Sequence, residues 1–120
     1  MKFDCLEINK KIIEKTDEQG FEELTLIQKK CIPEIINGRD VVGQAETGSG
    51  KTIAFCLPIL EKINPKEGLQ TVVLTPTREL CIQVNDVFKK FGKCLGIKST
   101  AVYGGVGINP QIKRIKKSEV

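Results

Sequence analysis

A glycine-rich segment between two apolar runs has the residue types and the spacing that hold phosphate. Residues 45–52 read Ala-Glu-Thr-Gly-Ser-Gly-Lys-Thr, after valines at positions 41 and 42 and before apolar residues at helical spacing. This pattern places the segment between a strand and the first turn of a helix. The first N–H groups of a helix have no intrahelical partner and lie at the positive end of its dipole, so a triphosphate is stabilised there.

Four residues of this segment have distinct predicted roles. Gly48 and Gly50 allow backbone conformations that other residues resist, so successive N–H groups can converge on phosphate oxygens. Lys51 adds a mobile positive charge toward the β and γ phosphates, and Thr52 offers its hydroxyl to Mg²⁺. The sequence therefore predicts a nucleoside triphosphate site, and the alternative is an ordinary glycine-rich turn. Ala45 is a departure, because the general pattern has glycine at this position.

The composition is that of one soluble globular domain at most. The chain has 120 residues, of which 40% are hydrophobic and 28% are charged. No apolar stretch is long enough to cross a membrane, and the first residues lack the apolar core of a signal peptide. We therefore expect a cytoplasmic location, or a nuclear one in a eukaryote, with no membrane partner.

The chain has no histidine, which removes the commonest general base and any Ser-His or Cys-His nucleophile. Its five cysteines, Cys5, Cys31, Cys56, Cys81 and Cys94, include no C-x-x-C pair. They are expected to be small buried residues in a reducing compartment rather than metal or redox sites. Any chemistry must therefore use charge, metal and water.

The positive charge is concentrated near the end of the chain. Residues 1–86 hold 11 Lys plus Arg against 14 Asp plus Glu, whereas residues 87–120 hold 8 against 1. The second part could face a polyanion. Its lysines could equally lie on solvated helix faces, and the charge pattern leaves both possibilities open.

Helical and strand-like patterns alternate along the chain. Helices are expected after Asn9 until Gly20, after Thr25 with a restart at Pro33, from the glycine-rich segment to about position 63, from Pro76 and Thr77, and from Asn109 and Pro110. Strands are expected up to Ala45, at 71–74 and at 99–103. Strands separated by crossover helices predict an α/β fold with a parallel sheet.

Residues 45–52 resemble motif I of the DEAD-box RNA helicase family, in which alanine at the first position is normal. Residues 20–28 resemble the family's Q motif, and Phe3 lies 25 residues before Gln28, where the family has an isolated aromatic residue. The resemblance implies that Gln28 hydrogen-bonds the adenine edge while Phe3 packs on the base. Leu24 stands where the family usually has proline, which is expected to loosen the turn before Thr25.

The resemblance implies an ATP site with one Mg²⁺ ligand. The implied ATP-binding residues are Phe3, Phe21, Gln28, Ala45, Thr47, Gly48, Ser49, Gly50, Lys51 and Thr52, and Thr52 is also the implied Mg²⁺ ligand. Apart from Lys51, no residue can be assigned to a catalytic role. Glu46 and Glu79 match no water-positioning residue of the family.

Two later segments complete the resemblance, which covers nearly the whole chain. Residues 76–80 resemble motif Ia, and the pair Gly104 and Gly105 resembles the GG motif. The family grips the sugar-phosphate backbone of RNA with these segments, so the implied RNA-binding residues here are Pro76, Thr77, Arg78, Gly104 and Gly105. Such contacts carry no base information, so binding is expected to be largely independent of RNA sequence. Taken singly, Arg78 and Glu79 could form a surface ion pair, and the two glycines could be only a turn.

The implied fold is a P-loop NTPase of the RecA-like class, present as an incomplete helicase ATP-binding domain over residues 1–120. Residues 1–38 would form the Q motif region, and residues 39–120 would hold motifs I, Ia and GG. The acidic Asp-Glu-Ala-Asp motif, the Ser-Ala-Thr motif and the second RecA-like domain are expected beyond Val120. The resemblance implies that later strands are inserted between the strand before the glycine-rich segment and the strand at 71–74. Without them the sheet would have a gap in its middle, with exposed edges and uncovered apolar helix faces, so we expect marginal stability.

Three functions remain open at this point. The chain could be part of an ATP-dependent RNA helicase, whose family couples RNA-stimulated ATP hydrolysis to duplex unwinding. It could instead be a truncated module that binds nucleotide or RNA without hydrolysis. It could also be an inert remnant, or an interaction protein that uses the basic stretch from Lys113 to Lys117.

Overall fold

The computed structural model describes residues 1–120 and contains five α-helices. Their bounds are Lys10–Glu18 (α1), Leu26–Ile36 (α2), Lys51–Lys62 (α3), Arg78–Gly92 (α4) and Ile108–Ile115 (α5), and short 3₁₀ helices lie at Phe3–Cys5 and Lys93–Leu95. The chain divides into two compact units, unit 1 at Met1–Lys62 and unit 2 at Ile63–Val120. None of these helices combines the length and the apolar character needed to cross a bilayer.

The helix ends follow the local signals in the sequence. The Asn9 side chain accepts a hydrogen bond from the Lys11 N–H at 2.9 Å, and Thr77 accepts one from the Leu80 N–H at 3.2 Å. Gly20 and Gly38, just past α1 and α2, have φ of +77° and +79°, a conformation that favours glycine. The predicted helix starts at Asn9, Thr25 and Thr77 are therefore confirmed.

The prolines inside the helices do not interrupt them. Pro33 was expected to restart the second helix, but α2 runs through it from Leu26 to Ile36. Pro58 lies in the same way inside α3. A proline in a helix loses one backbone hydrogen bond and strains the preceding turn. Burial offsets that cost, because α2 and α3 pack against each other and Ile32 and Leu57 are fully buried.

None of the five cysteines forms a disulfide, and they are not all buried as predicted. Cys31 and Cys56 lie in the core of unit 1, where burial raises the pKa of the Cys56 thiol. Cys5 and Cys94 are exposed and Cys81 is half-buried. Cys5 and Cys94 each lie in a short 3₁₀ helix, where a small side chain faces solvent without cost to the core. The prediction is therefore wrong for these three residues.

The predicted parallel sheet is not shown by this structure. Positions 41–45, 71–74 and 99–103 contain neither helix nor strand, and the one β-bridge is an isolated antiparallel pair between Lys2 and Glu23. The predicted segments are non-helical, as expected, but they do not pair into ladders. The arrangement of Glu119 and Val120 in unit 2 explains why two of them stay apart.

Glu119 and Val120 lie between the two predicted strands of unit 2. The Glu119 carbonyl accepts hydrogen bonds from the N–H groups of Gln70 and Thr71, and the Val120 carbonyl accepts one from Thr100. Because Glu119 and Val120 are hydrogen-bonded to both predicted strands, the segments at 71–74 and 99–103 are separated by the width of one strand and cannot pair with each other. A cavity of about 340 Å³ lies between them, lined by residues 71–75 and 100–102, Phe88 and Val120. This opening between the two predicted strands is the gap of unit 2, and it lies beside residues 71–75.

Candidate nucleotide site and candidate nucleic-acid interface

The glycine-rich segment 45–52 ends at the first turn of α3, as the sequence predicts. Lys51 is the first residue of that helix. Gly48 and Gly50 have φ of +81° and +83°, which side-chain-bearing residues rarely adopt. The segment is therefore a glycine-dependent turn at a helix N-terminus, the arrangement in which backbone N–H groups meet an anion.

Hydrogen bonds within the segment close it on itself. The Lys51 ammonium donates to the Ala45 carbonyl at 2.7 Å, across six residues. The Ser49 N–H donates to the Glu46 carbonyl at 3.2 Å, and the Ser49 hydroxyl donates to the same oxygen. Thr47 and Gly48 are exposed, and Thr52 is half-buried. The loop thus holds its shape by bonds that a bound phosphate could exchange for its own.

Gln28 ties this loop to α2. Its side chain is only 4% exposed, and its amide is engaged at both ends. Oε1 accepts a hydrogen bond from the Thr25 N–H at 2.9 Å, and Nε2 donates to the Gly50 carbonyl at 3.2 Å. A Cβ atom at Gly50 would lie 2.3 Å from Gln28 Nε2. A side chain at position 50 would therefore displace the Gln28 amide as well as strain the backbone at its own φ.

The backbone before the loop also packs closely on α2, which the sequence analysis missed. A Cβ atom at Gly43 would lie 3.2 Å from both Cys31 Sγ and Ile27 Cδ1. The only signal in the sequence was a glycine within the predicted strand, directly after Val41 and Val42. Such a glycine often marks a close backbone approach.

Two aromatic rings lie together in unit 1, and they differ in exposure. The ring centroids of Phe3 and Phe21 are 6.3 Å apart, with a tilt of 32°. Phe3 is 3% exposed, whereas Phe21 is 39% exposed. Of these two implied ATP-binding residues, Phe21 therefore has the exposed ring, whereas Phe3, the residue implied to pack on the base, is buried.

Leu24 fixes the N-terminal segment to this site. Its N–H donates to the Met1 carbonyl at 2.9 Å, beside the bridge between Lys2 and Glu23, and its side chain is 4% exposed. Proline has no N–H and could not make this bond. The expectation that Leu24 loosens the turn before Thr25 is therefore wrong, because leucine adds a hydrogen bond and a buried side chain.

Replacing Leu24 with proline is expected to release the N-terminal segment. The variant loses the bond to Met1, at a cost of about 1 kcal/mol, together with part of a buried side chain, so we expect a total loss of about 2–3 kcal/mol. Urea unfolding measures the loss. Leu24→Ala is the control, since it shortens the side chain but keeps the N–H. If proline and alanine destabilise equally and leave Met1 to Cys5 equally resistant to aminopeptidase, the backbone bond does not anchor the segment.

Arg78, the first residue of α4, contacts the predicted GG motif. Its Nη2 donates to the Gly104 carbonyl at 2.6 Å, and its guanidinium lies 4.9 Å from the centroid of the Tyr103 ring. A Cβ atom at Gly105, where φ is +84°, would lie 2.5 Å from Arg78 Nη2. The structure therefore brings the predicted motif Ia and GG residues together. The alternative ion pair with Glu79 is not formed, because the two ion pairs of the structure are Lys15–Glu18 and Arg39–Glu34.

A buried amide that the sequence analysis missed holds the loop after Tyr103. Gln111 is 4% exposed; its Oε1 accepts from the Tyr103 N–H at 2.9 Å, and its Nε2 donates to the Gly107 carbonyl at 3.0 Å. These bonds fix both ends of the loop that carries Gly104 and Gly105. Gln111 lies in a strongly basic helix, so nothing in its sequence position distinguished it from a solvated residue.

The chain offers little to hold a metal ion by itself. No group of three or more Cys, Asp or Glu side chains is close enough to form a cation site. The hydroxyl of Thr52, in the first turn of α3, remains the one predicted Mg²⁺ ligand. A single hydroxyl fits Mg²⁺ that arrives with the phosphates, because this ion usually keeps several waters and few protein ligands.

Comparison with known protein families shows to which family this chain belongs. The family profile described as DEAD/DEAH box helicase matches residues 25–120. The chain belongs to this family. It corresponds to part of the first RecA-like domain of a DEAD-box ATP-dependent RNA helicase, and the family uses ATP.

The relatives of this DEAD-box chain are much longer than it is. The DEAD-box ATP-dependent RNA helicase CshA of Bacillus cereus is 44% identical over 113 residues, which are 93% of this chain and 22% of that protein. The chain thus spans about a fifth of its relative. A crystal structure of a DEAD box protein from Methanococcus jannaschii superposes with a TM-score of 0.89 at 41% identity, over 99% of this chain and 33% of that one. Prp28 from Chaetomium thermophilum, bound to ADP, gives 0.85 at 32% identity, over 98% and 31%.

Proposed function

We propose that this chain is the ATP-binding and RNA-binding portion of an ATP-dependent RNA helicase. The observation that carries the proposal is the Gln28 amide, which joins the capping turn of α2 to Gly50 of the phosphate loop. A residue that could read the base is thereby bonded to the loop that would hold the phosphates. Adenine recognition and phosphate binding would then be coupled through one side chain.

The unused capacity of Gln28 suits an adenine edge. A carboxamide has two N–H donors and two acceptor lone pairs on oxygen, and the structure uses one of each. One donor and one lone pair remain, the pair of groups that can meet adenine N7 and N6 together. Phe21 supplies the exposed ring on which the base would lie, supported by Phe3.

The loop would bind the triphosphate through residues that are free to exchange partners. N–H groups of positions 47–51 would approach phosphate oxygens where Gly48 and Gly50 turn the chain. Lys51 would leave the Ala45 carbonyl for the β and γ phosphates, because a charge-assisted bond to phosphate is stronger than one to a neutral carbonyl. Thr52 would contribute its hydroxyl to Mg²⁺, which neutralises phosphate charge when bound.

The second site would hold the RNA backbone. Pro76 and Thr77 precede α4, whose N-terminal N–H groups favour an anion, and Arg78 lies beside Gly104 and Gly105. The exposed N–H groups of a glycine pair can approach a phosphate closely. These groups contact phosphate and sugar, so the proposed binding is largely independent of RNA sequence. ATP hydrolysis and unwinding belong to the proposal only for a whole helicase, since no residue here takes the hydrolytic roles.

Binding of a fluorescent ATP analogue to the full chain tests this function. We expect Lys51→Ala to weaken binding at least about ten-fold, since it removes one charge-assisted bond to phosphate. Lys30→Ala is the matched control, because Lys30 is an exposed lysine of α2 with no side-chain partner. Competition by ATP and not by GTP would support the adenine role of Gln28. If Lys51→Ala and Lys30→Ala bind equally well, the proposal fails and the inert-remnant function stands.

The second candidate function is nucleotide binding without hydrolysis, and an assay on the same chain distinguishes it from the first. No residue of this chain is assigned to positioning the attacking water, which favours this candidate for the chain by itself. A phosphate-release assay with RNA present decides between the two. Nucleotide binding that is sensitive to Lys51→Ala, without release of phosphate, identifies a binding module.

A further inference from the structure

A basic cleft lies at the far end of α4 from Arg78. It is formed by the last turns of that helix, the turn that follows and α5, with a volume of about 520 Å³. Five basic residues and no acidic residue line it, namely Lys89, Lys93, Lys98, Arg114 and Lys117. The basic cleft, so defined, accounts for most of the excess charge of residues 87–120.

The charges of the basic cleft have no partner within the protein. The two ion pairs of the structure involve none of them, and none of their side chains makes a hydrogen bond. The nearby Glu119 is 4% exposed, and its carboxylate accepts the backbone N–H groups of Lys66 and Lys98. Five unpaired like charges repel one another, so the basic cleft attracts an anionic ligand.

The other lining groups indicate which anion fits. The hydroxyls are already engaged: Ser118 donates to the Arg114 carbonyl at 2.9 Å and also bonds Thr100, and Ser99 bonds the Asn85 carbonyl at 3.5 Å. No aromatic side chain lines the cleft, so bases have no surface on which to stack. Recognition therefore depends on charge.

The cleft exposes no large apolar side chain that could anchor an acidic protein segment, which disfavours such a segment as the ligand. Peptide partners draw much of their affinity from apolar anchors that become buried. The one large apolar side chain of the lining, Ile97, is already 5% exposed. Lysines act on phosphate as point charges, and a nucleic-acid strand carries a phosphate about every 3.4 Å. A phosphate backbone suits this cleft better than a peptide.

We propose that the basic cleft is a second contact site for the phosphate backbone of RNA, an inference that rests on the proposed RNA-binding function of unit 2. The first site is at Arg78, and Lys89 and Lys93 follow 11 and 15 residues later. At about 1.5 Å per residue of helix, the two sites are about 16–22 Å apart along α4. An RNA must therefore be several nucleotides long to touch both.

Anisotropy titrations of the full chain with labelled oligouridylates of 4 and 20 nucleotides test the inference. The double variant Lys89→Gln with Lys93→Gln is compared with Lys90→Gln plus Lys113→Gln, which removes the same charge from the same stretch but outside the cleft. We expect the cleft variant to bind the 20-mer about ten-fold more weakly than the control. Its salt slope should fall by about 1.4, at about 0.7 per phosphate contact, while binding of the 4-mer is unchanged.

Each other outcome has a definite meaning. Equal 20-mer binding by the two variants overturns the second site. An equal loss of affinity for the 4-mer and the 20-mer overturns it too, because the change then acts through the site at Arg78.

If the parent binds the 20-mer through the cleft but Arg78→Ala does not weaken that binding, the proposed first site is wrong and the cleft remains as the RNA contact. Tighter binding of poly-glutamate than of the 20-mer, lost in the cleft variant, would identify an acidic protein partner instead. Thermal unfolding of all variants confirms an unchanged fold.

Discussion

Replacing Gly50 with alanine is expected to destabilise unit 1 by about 2–4 kcal/mol and to weaken nucleotide binding at least ten-fold. The φ of +83° costs a side-chain-bearing residue about 1–2 kcal/mol. The new Cβ would also crowd Gln28 Nε2, so the buried Gln28 amide must shift, and we expect its bond to the Gly50 carbonyl to be lost at about 1 kcal/mol. Urea unfolding and titration with a fluorescent nucleotide measure the two effects.

Gly48→Ala is the matched control for this prediction. Gly48 has nearly the same φ, +81°, but a Cβ there would meet no atom within 4 Å. Both variants therefore have the conformational cost, and only Gly50→Ala displaces Gln28. In a Gln28→Ala background, Gly50→Ala should cost little more free energy of unfolding than Gly48→Ala, as expected when the additional cost comes from contact with Gln28. Equal effects of the two glycine substitutions in the parent chain would show that Gln28 does not hold the loop.

Self-association of the chain is the second large effect that we expect, and lysine at positions 72 and 74 should suppress it. Val72 and Leu74 are 72% and 90% exposed on the segment that faces the gap in unit 2. No N–H group of residues 72–75 makes a backbone hydrogen bond. An exposed apolar edge with free backbone groups is a template for pairing with another chain.

Light scattering coupled to size exclusion measures this self-association. The parent chain should form oligomers at micromolar concentration, and Val72→Lys with Leu74→Lys should be at least several-fold more monomeric, because lysine on an edge opposes strand pairing. Leu26→Lys is the control, since Leu26 is 67% exposed on α2, away from any predicted edge. A parent that is monomeric and unfolds cooperatively contradicts both this prediction and the expected marginal stability.

The features that the sequence predicted well depend on neighbours along the chain. Asn9 and Thr77 cap helices through bonds to residues two or three positions away, so local patterns suffice to find them. The glycine-rich turn before α3 is local in the same way. The strand segments were placed correctly as non-helical, but a sheet needs pairing between distant segments, and Glu119 and Val120 occupy the position between two of them.

The features that the sequence analysis missed depend on tertiary contacts or on the exact backbone. The bond from Gln28 to Gly50 spans 22 residues, and Gln111 became recognisable as structural only through its bonds to Tyr103 and Gly107. Leu24 was misjudged because a comparison of residue types takes no account of the backbone N–H that proline lacks. The 2.6 Å bond from Arg78 to the Gly104 carbonyl was not predicted either, because motif order assigned both segments to RNA without indicating that they contact each other.

The uneven exposure of the cysteines gives this chain a chemical probe of its own opening. Cys56 is fully buried and its thiol is held in the protonated form, so a thiol reagent can reach it only after the helices around it separate. Cys5 and Cys94 are exposed, so their alkylation rates give the rate for accessible thiols in the same molecule. The ratio of the alkylation rates therefore reports how often the core of unit 1 opens, with no label added. Nucleotide bound at the adjacent loop should slow the reaction of Cys56 but not that of Cys94, since Cys56 lies on the same helix as Lys51 and Cys94 lies in unit 2.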